Sequence, residues 1–158
     1  MKNEIKLVKR NGWPIIEEYN QETNKLVKET AFNNDNKAIW FIREYEQYKN
    51  TGKEINIETA FNDCVNDETI WYIREYDKNT GKEIKEINYG CGGGKNVRDI
   101  SEYDKNTSEL TKQTFLQSDG TIDCMYEFKQ TARKLAIKET YFHNNGQIKE
   151  VKHINKTC

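Results

Sequence analysis

The chain has 158 residues, with 25 basic and 26 acidic side chains that leave a net charge of −1, so no global field draws in nucleic acid or an anionic membrane. Only 35% of the residues are apolar and 32% are charged, which excludes a deep aliphatic core and leaves the charges as paired or solvated surface. No apolar run approaches the ~20 residues that span a bilayer, and Met1 to Gly12 lacks the apolar stretch of a secretory signal.

In chain order the sequence repeats itself. A Glu followed by an aromatic recurs at Glu18-Tyr19, Glu44-Tyr45, Glu75-Tyr76, Glu102-Tyr103 and Glu127-Phe128, at spacings of 26, 31, 27 and 25 residues; Ile154 stands where a sixth aromatic would fall. A second landmark follows the first, as Lys28-Glu29-Thr30-Ala31-Phe32, Ile57-Glu58-Thr59-Ala60-Phe61 and Lys138-Glu139-Thr140-Tyr141-Phe142, with Lys112 to Leu116 a weaker copy. The best internal match is Ile39-Trp40-Phe41-Ile42-Arg43-Glu44-Tyr45 against Ile70-Trp71-Tyr72-Ile73-Arg74-Glu75-Tyr76, each leading into Asn-Thr-Gly-Lys-Glu-Ile. A fixed period of this length marks a repeat architecture.

Each unit reads as strand, turn, strand, turn. Ile70, Tyr72, Arg74 and Tyr76 alternate with Trp71, Ile73 and Glu75, which is the period of a strand, and the residue types suit a pleated surface. Asp77 to Gly81 supplies a hairpin turn, with Gly81 taking the positive φ; Asn33 to Asn36, Ser118-Asp119-Gly120 and Asn144-Asn145-Gly146 turn between units. Lys129 to Lys138 reads as a looser hairpin. The expectation is an all-β chain of tandem antiparallel hairpins forming one elongated, twisted meander sheet with little or no helix. It is a single repeat domain of about six units, at 1–36, 37–67, 68–96, 97–120, 121–146 and 147–158, with a Gly-rich insertion at 90–94. The repeated Glu should meet Lys and Arg of adjoining strands, Tyr45 and Tyr76 should stack on equivalent strands, and the ends should be the weakest part.

The pattern Glu-Tyr-Asp-x-x-Thr-Gly-Lys-x-Ile-Lys-Glu at Glu75 to Glu86, with Asp-Gly-Thr-Ile at Asp119 to Ile122, resembles a tandem domain of unknown function found in phytoplasma proteins. The resemblance covers most of residues 13–150 and is degenerate at Glu109 and Arg133; more loosely, the chain is similar to bacterial YD and MORN-like hairpin repeats. It implies a host-associated, wall-less bacterium, in keeping with the abundance of Lys, Asn and Ile, whose codons are AT-rich. It also implies secretion into a plant or insect host as an effector if a leader has been removed; otherwise the chain stays in the cytoplasm. No catalytic residue comes with it.

The residues themselves offer little chemistry. Cys64 and Cys91 follow the second strands of successive units and would be neighbours, so they are the pair for a disulfide in an exported protein; in a reducing cytosol both stay free. Cys124 falls on an apolar face and reads as a small core residue. With no Cys-x-x-Cys and two isolated histidines, His143 and His153, no metal site is expected. Gly90-Cys91-Gly92-Gly93-Gly94-Lys95 is not a phosphate loop: Tyr89 stands where its first Gly belongs and Asn96 where Ser or Thr must follow Lys. A carboxylate repeated at one position, as at Glu44, Glu75, Glu102 and Glu127, is architecture rather than an acid–base pair, whose members need different environments. The expectation is therefore of no enzyme and no cofactor.

Trp40 and Trp71, with Arg43 and Arg74 on the same strands, are the candidate partner-binding residues, since Trp and Arg dominate interface hot spots; the opposing reading has these rings covering the sheet or filling a groove. The leading functional expectation is a protein-interaction scaffold whose partner is a host or bacterial protein. The alternatives are a repeat that binds carbohydrate or another surface polymer, and a structural protein that self-assembles through its edge strands. No basic stripe interleaves with the aromatics, so nucleic acid is not an expected partner.

Overall fold

A computed structural model describes residues 3–33, 38–46, 54–61, 70–89, 96–129 and 135–154. The expected pairing of Cys64 with Cys91 and the insertion at 90–94 lie outside the described residues. The described residues hold twelve strands: β1 (Asn3–Arg10), β2 (Trp13–Asn20), β3 (Lys25–Phe32), β4 (Ile39–Glu46), β5 (Glu54–Phe61), β6 (Ile70–Tyr76), β7 (Glu83–Asn88), β8 (Asp99–Tyr103), β9 (Leu110–Leu116), β10 (Ile122–Lys129), β11 (Leu135–Phe142) and β12 (Ile148–His153). They form a single open sheet in strictly sequential order, each strand antiparallel to the next. This is the twisted hairpin meander that the alternation and the turn residues predict.

The turns repeat in atomic detail. In Asp77 to Gly81 the Asp77 side chain accepts hydrogen bonds from the backbone N–H groups of Asn79 (3.0 Å) and Thr80 (2.9 Å), and the Gly81 N–H donates to the Asp77 carbonyl at 2.8 Å. Asn20 to Asn24 and Asp104 to Ser108 make the same set of bonds. The fifth residue is left-handed each time: Asn24 at φ 51°, Gly81 at 66° and Ser108 at 63°. The bonds from Thr80 and Asn79 hold the Asp77 carboxyl below its ordinary pKa. β1, which the sequence reading does not identify, is joined to β2 by Asn11 and Gly12, both at positive φ, the two-residue loop whose twist suits a hairpin.

Every hairpin with an aromatic landmark is bulged at it. The register slips by one residue between Glu18 and Tyr19, Glu44 and Tyr45, Glu75 and Tyr76, Glu102 and Tyr103, and Glu127 and Phe128. A second set of bulges lies at the far end of the strands. Phe41 pairs with Ala31 and Ile39 with Phe32, which leaves Trp40 unopposed; Trp71, Asp123 and Lys149 occupy the corresponding extra position in β6, β10 and β12. Bulges of this kind sharpen the twist and re-aim side chains.

The register sorts the side chains onto two faces. One face carries a row that alternates Glu and Lys from β6 to β11, with Glu75–Lys85 at 3.2 Å, Glu102–Lys112 at 3.0 Å and Glu127–Lys138 at 2.7 Å, and holds Ile57 in β5. Beside it runs a row of Ile16, Thr30, Ile42, Thr59, Ile73, Ile87, Ile100, Thr114, Met125 and Thr140. The other face buries Ile15, Leu26, Ala31, Ala60 and Cys124, and with them the charged Glu17, Glu29, Glu58 and Asp99. Tyr45 and Tyr76, expected to stack, lie on β4 and β6 with β5 between them.

Two substitutions test this account. Ser108→Gly relieves the left-handed strain, worth about 1 kcal/mol, against a smaller rise in unfolded-chain entropy; thermal unfolding is expected about 2 °C higher than in the parent. The Thr140 hydroxyl is buried without a hydrogen-bond partner, so isosteric Thr140→Val should raise stability by about 1 kcal/mol in urea titration.

Candidate functional site

The buried face is organised by a row of polar side chains that crosses the sheet from strand to strand: Glu17, Glu29, Arg43, Glu58, Arg74, Glu86, Ser101, Gln113, Tyr126, Glu139 and Lys152 are successive cross-strand partners. The first six are charged and interlocked. Arg10, from β1, pairs with both Glu17 and Glu29, the latter at 2.6 Å. Arg43 Nε donates to Glu58 at 2.5 Å, Arg74 Nη1 lies 3.8 Å from the same carboxylate, and Arg74 Nε donates to Glu86 at 2.6 Å. Phenols complete the carboxylates: Tyr19 donates to Glu17 at 2.6 Å, Tyr45 to Glu29, and Tyr72 to Glu58 at 3.0 Å.

At 5% exposure Glu58 depends on these partners, because a buried carboxylate without them would cost several kcal/mol. Its charge is felt in return. Burial, then the Glu58 charge and hydrogen bond, push the Tyr72 phenol up to about 12, and burial with the Glu29 hydrogen bond raises Tyr45.

Trp40 and Trp71 are set upon this row by the bulges. Plain alternation would put Trp71 on the opposite face from Tyr72 and Arg74, and the sequence reading expects that. Instead, as the extra residue of its bulge, Trp71 brings its ring to 5.5 Å from Tyr72, and Trp40 lies 5.3 Å from Phe41. Contacts this short between consecutive rings place both on one side of the sheet. The Arg43 guanidinium then stacks over Phe41 at 4.3 Å and Arg74 over Tyr72 at 4.2 Å. The four residues singled out from the sequence thus fall into two matching columns, Trp40–Phe41–Arg43 and Trp71–Tyr72–Arg74, both ending on Glu58. Trp13 packs on Trp40 at 4.8 Å and extends the first column. Trp40 and Trp71 remain 39% and 43% exposed, whereas the arginines are committed to carboxylates and rings. Phe41, Tyr72 and Glu58 are the members that sequence reasoning missed; the heptads at Ile39 and Ile70, alike except at Phe41 and Tyr72, held the signal.

A second feature lies over β9 and β10, an open groove of about 600 Å³ whose lining includes Phe115, Tyr126 and Phe128. Among the described residues no group of three or more His, Cys, Asp or Glu side chains is placed to hold a metal, and no helix is long and apolar enough to cross a membrane.

Glu58→Gln keeps the side chain's shape, removes the charge between two guanidiniums and replaces one of the two acceptor oxygens with a donor. A loss of about 2 kcal/mol in unfolding free energy is expected, below the full cost of breaking a buried pair because both arginines are partly solvated. The Tyr72 phenol should fall from about 12 toward its ordinary value of 10, read by NMR on labelled tyrosine. A phenol raised by folding contributes stability that is intact below pH 10 and lost as pH climbs through the folded value, so the variant should show less alkaline destabilisation from this residue.

Comparison with solved structures finds a likeness to TarM at a TM-score of 0.46 and 10% identity, over 75% of this chain and 20% of that one. A mutant of S. aureus TarM in complex with Fondaparinux, alpha-GlcNAc-glycerol and UDP matches at a TM-score of 0.38 and 10% identity, over 84% of this chain and 21% of that one. The chain therefore spans about a fifth of the TarM chains that it matches. This finding stands against the expectation that the chain is no enzyme. With both TM-scores under 0.5, it carries no reaction, substrate or partner over to this chain. Comparison with curated proteins gives no match. A family model matches residues 10–62, 65–95 and 92–137, together well over half of the chain, which belongs to the family described as "Protein of unknown function (DUF2963)".

Proposed function

We propose that this chain is a protein-interaction module that engages its partner through Trp40 and Trp71. The observation that supports the reading is the pair of matching columns: each bulge lifts an indole out of the pleat, and each indole is braced from below by an aromatic ring, an arginine and the shared Glu58. Two rigid, half-exposed indoles lie on strands one apart, roughly 10 Å from each other by strand spacing. Such anchors lose little conformational entropy on binding, which is why hot spots favour them. The bulge position carries Trp, Trp, Asp and Lys in β4, β6, β10 and β12, so the frame stays constant while the presented chemistry changes.

The resemblance of the repeats to those of phytoplasma proteins favours a partner in a plant or insect host, reached by secretion. Tagged protein incubated with host extract should retain one dominant protein that a denatured control does not. The folded Trp40→Ala/Trp71→Ala variant should bind that partner about a thousandfold more weakly, as two hot-spot truncations of about 2 kcal/mol each require. Undiminished retention by the variant, with its β circular dichroism intact, would overturn the assignment.

A further inference from the structure

We infer that the groove over β9 and β10 is a binding site for neutral hexopyranose units of a polysaccharide, separate from the tryptophan columns. Its origin lies in the polar row. From β2 to β7 that row consists of charged side chains interlocked across the sheet, but at β8, β9 and β10 it becomes Ser101, Gln113 and Tyr126. No ion-paired guanidinium belongs to the row there, and the floor stays open to about 600 Å³, the size of a small-molecule site.

The floor and the rim define the ligand. Phe115 and Tyr126 meet edge to face, with ring centroids 5.9 Å apart and planes at 88°, and Phe128 extends the aromatic surface along β10. The Tyr126 hydroxyl is occupied by Tyr141 and Cys124, so this residue presents its ring rather than its oxygen. Around the rings stand three planar polar groups: the Gln113 amide, the Asp123 carboxylate and the Arg98 guanidinium. Asp123 sits at the bulge position that holds Trp40 and Trp71 in the earlier hairpins, and the Arg98 side chain is 70% exposed. Arg98 lies 3.7 Å from the Asp99 carboxylate, so with Asp123 the rim carries one cation against two anions, which disfavours an anionic ligand.

A hexopyranose matches this set. One side of its ring is a patch of C–H groups that lies on an aromatic surface, and its edge is a belt of hydroxyls that each donate and accept, as amide, carboxylate and guanidinium require. A purely apolar segment would strip water from these groups, whose contacts with Asp99 and Gln117 leave much of their hydrogen-bonding capacity to solvent, and would return no hydrogen bond to them.

Amide NMR titration of the full chain with cello-, chito-, malto- and manno-hexaose tests the assignment, with a polyuronate oligomer and a polyproline peptide as competing occupants. At least one neutral hexaose should shift the amides around Gln113, Phe115 and Tyr126. Phe128→Ala and Asp123→Ala, both at partly solvated positions, should each weaken that binding tenfold or more, while Trp71→Ala leaves it within twofold. No shift with any neutral hexaose, shifts only with the polyuronate or the peptide, or affinity unchanged in both groove variants would each overturn the proposal. None of these outcomes bears on retention of a protein partner by the tryptophan columns.

Discussion

A single-layer sheet has no second layer under which to hide charge, yet this one sets four carboxylates, Glu17, Glu29, Glu58 and Glu86, within its more covered face. Their need for partners is the constraint on which the rest depends. Arg10, Arg43 and Arg74 meet it by lying across the strands, and in doing so cover the apolar floor with their methylene stems. The guanidiniums also stack on Phe41 and Tyr72, so one set of residues solvates the carboxylates, fixes the strand register and immobilises the rings beneath the indoles. A one-residue slip would break the whole set at once, which makes the register of the first seven strands unusually well specified for an open sheet.

The bulges divide the labour between frame and presentation. One set, at each Glu-aromatic landmark, lies beside the hairpin turns and is shared by five hairpins. The other set lies at the opposite end and holds the variable position of Trp40, Trp71, Asp123 and Lys149. Since the extra residue of a bulge has no cross-strand partner, its identity changes with little effect on the ladder. A repeat can therefore diversify what it displays without altering how it folds.

Much of this was legible in the sequence. The Glu-aromatic spacing gave the hairpins, and the run Asp77 to Gly81 gave their turns because only a short Asx side chain and a residue tolerant of positive φ satisfy those bonds. The alternation of Glu75 with its neighbours placed that carboxylate among lysines, where Lys85 pairs with it. Three features were not read. Asn11-Gly12 is a hairpin signal, but β1 carries no Glu-aromatic landmark and so stands outside the repeat pattern. The bulges that turn Trp40 and Trp71 toward Arg43 and Arg74 have no local residue signature; they follow from the pairing of distant strands, which period-two alternation does not encode. The groove arises from what Ser101 and Gln113 lack relative to their counterparts, and a missing side chain is legible only once the row is assembled.

Strictly sequential pairing also governs how the molecule bears load. Every contact between elements joins consecutive strands, and β1 and β12 lie on opposite edges, roughly 50 Å apart at the spacing of adjacent strands. Tension applied between the two ends acts across the strands, so hydrogen bonds open one after another, as in a zip, instead of resisting together as they do in shear. Sequential pairing thus leaves each strand free to detach from the edge without first breaking contacts deeper in the sheet.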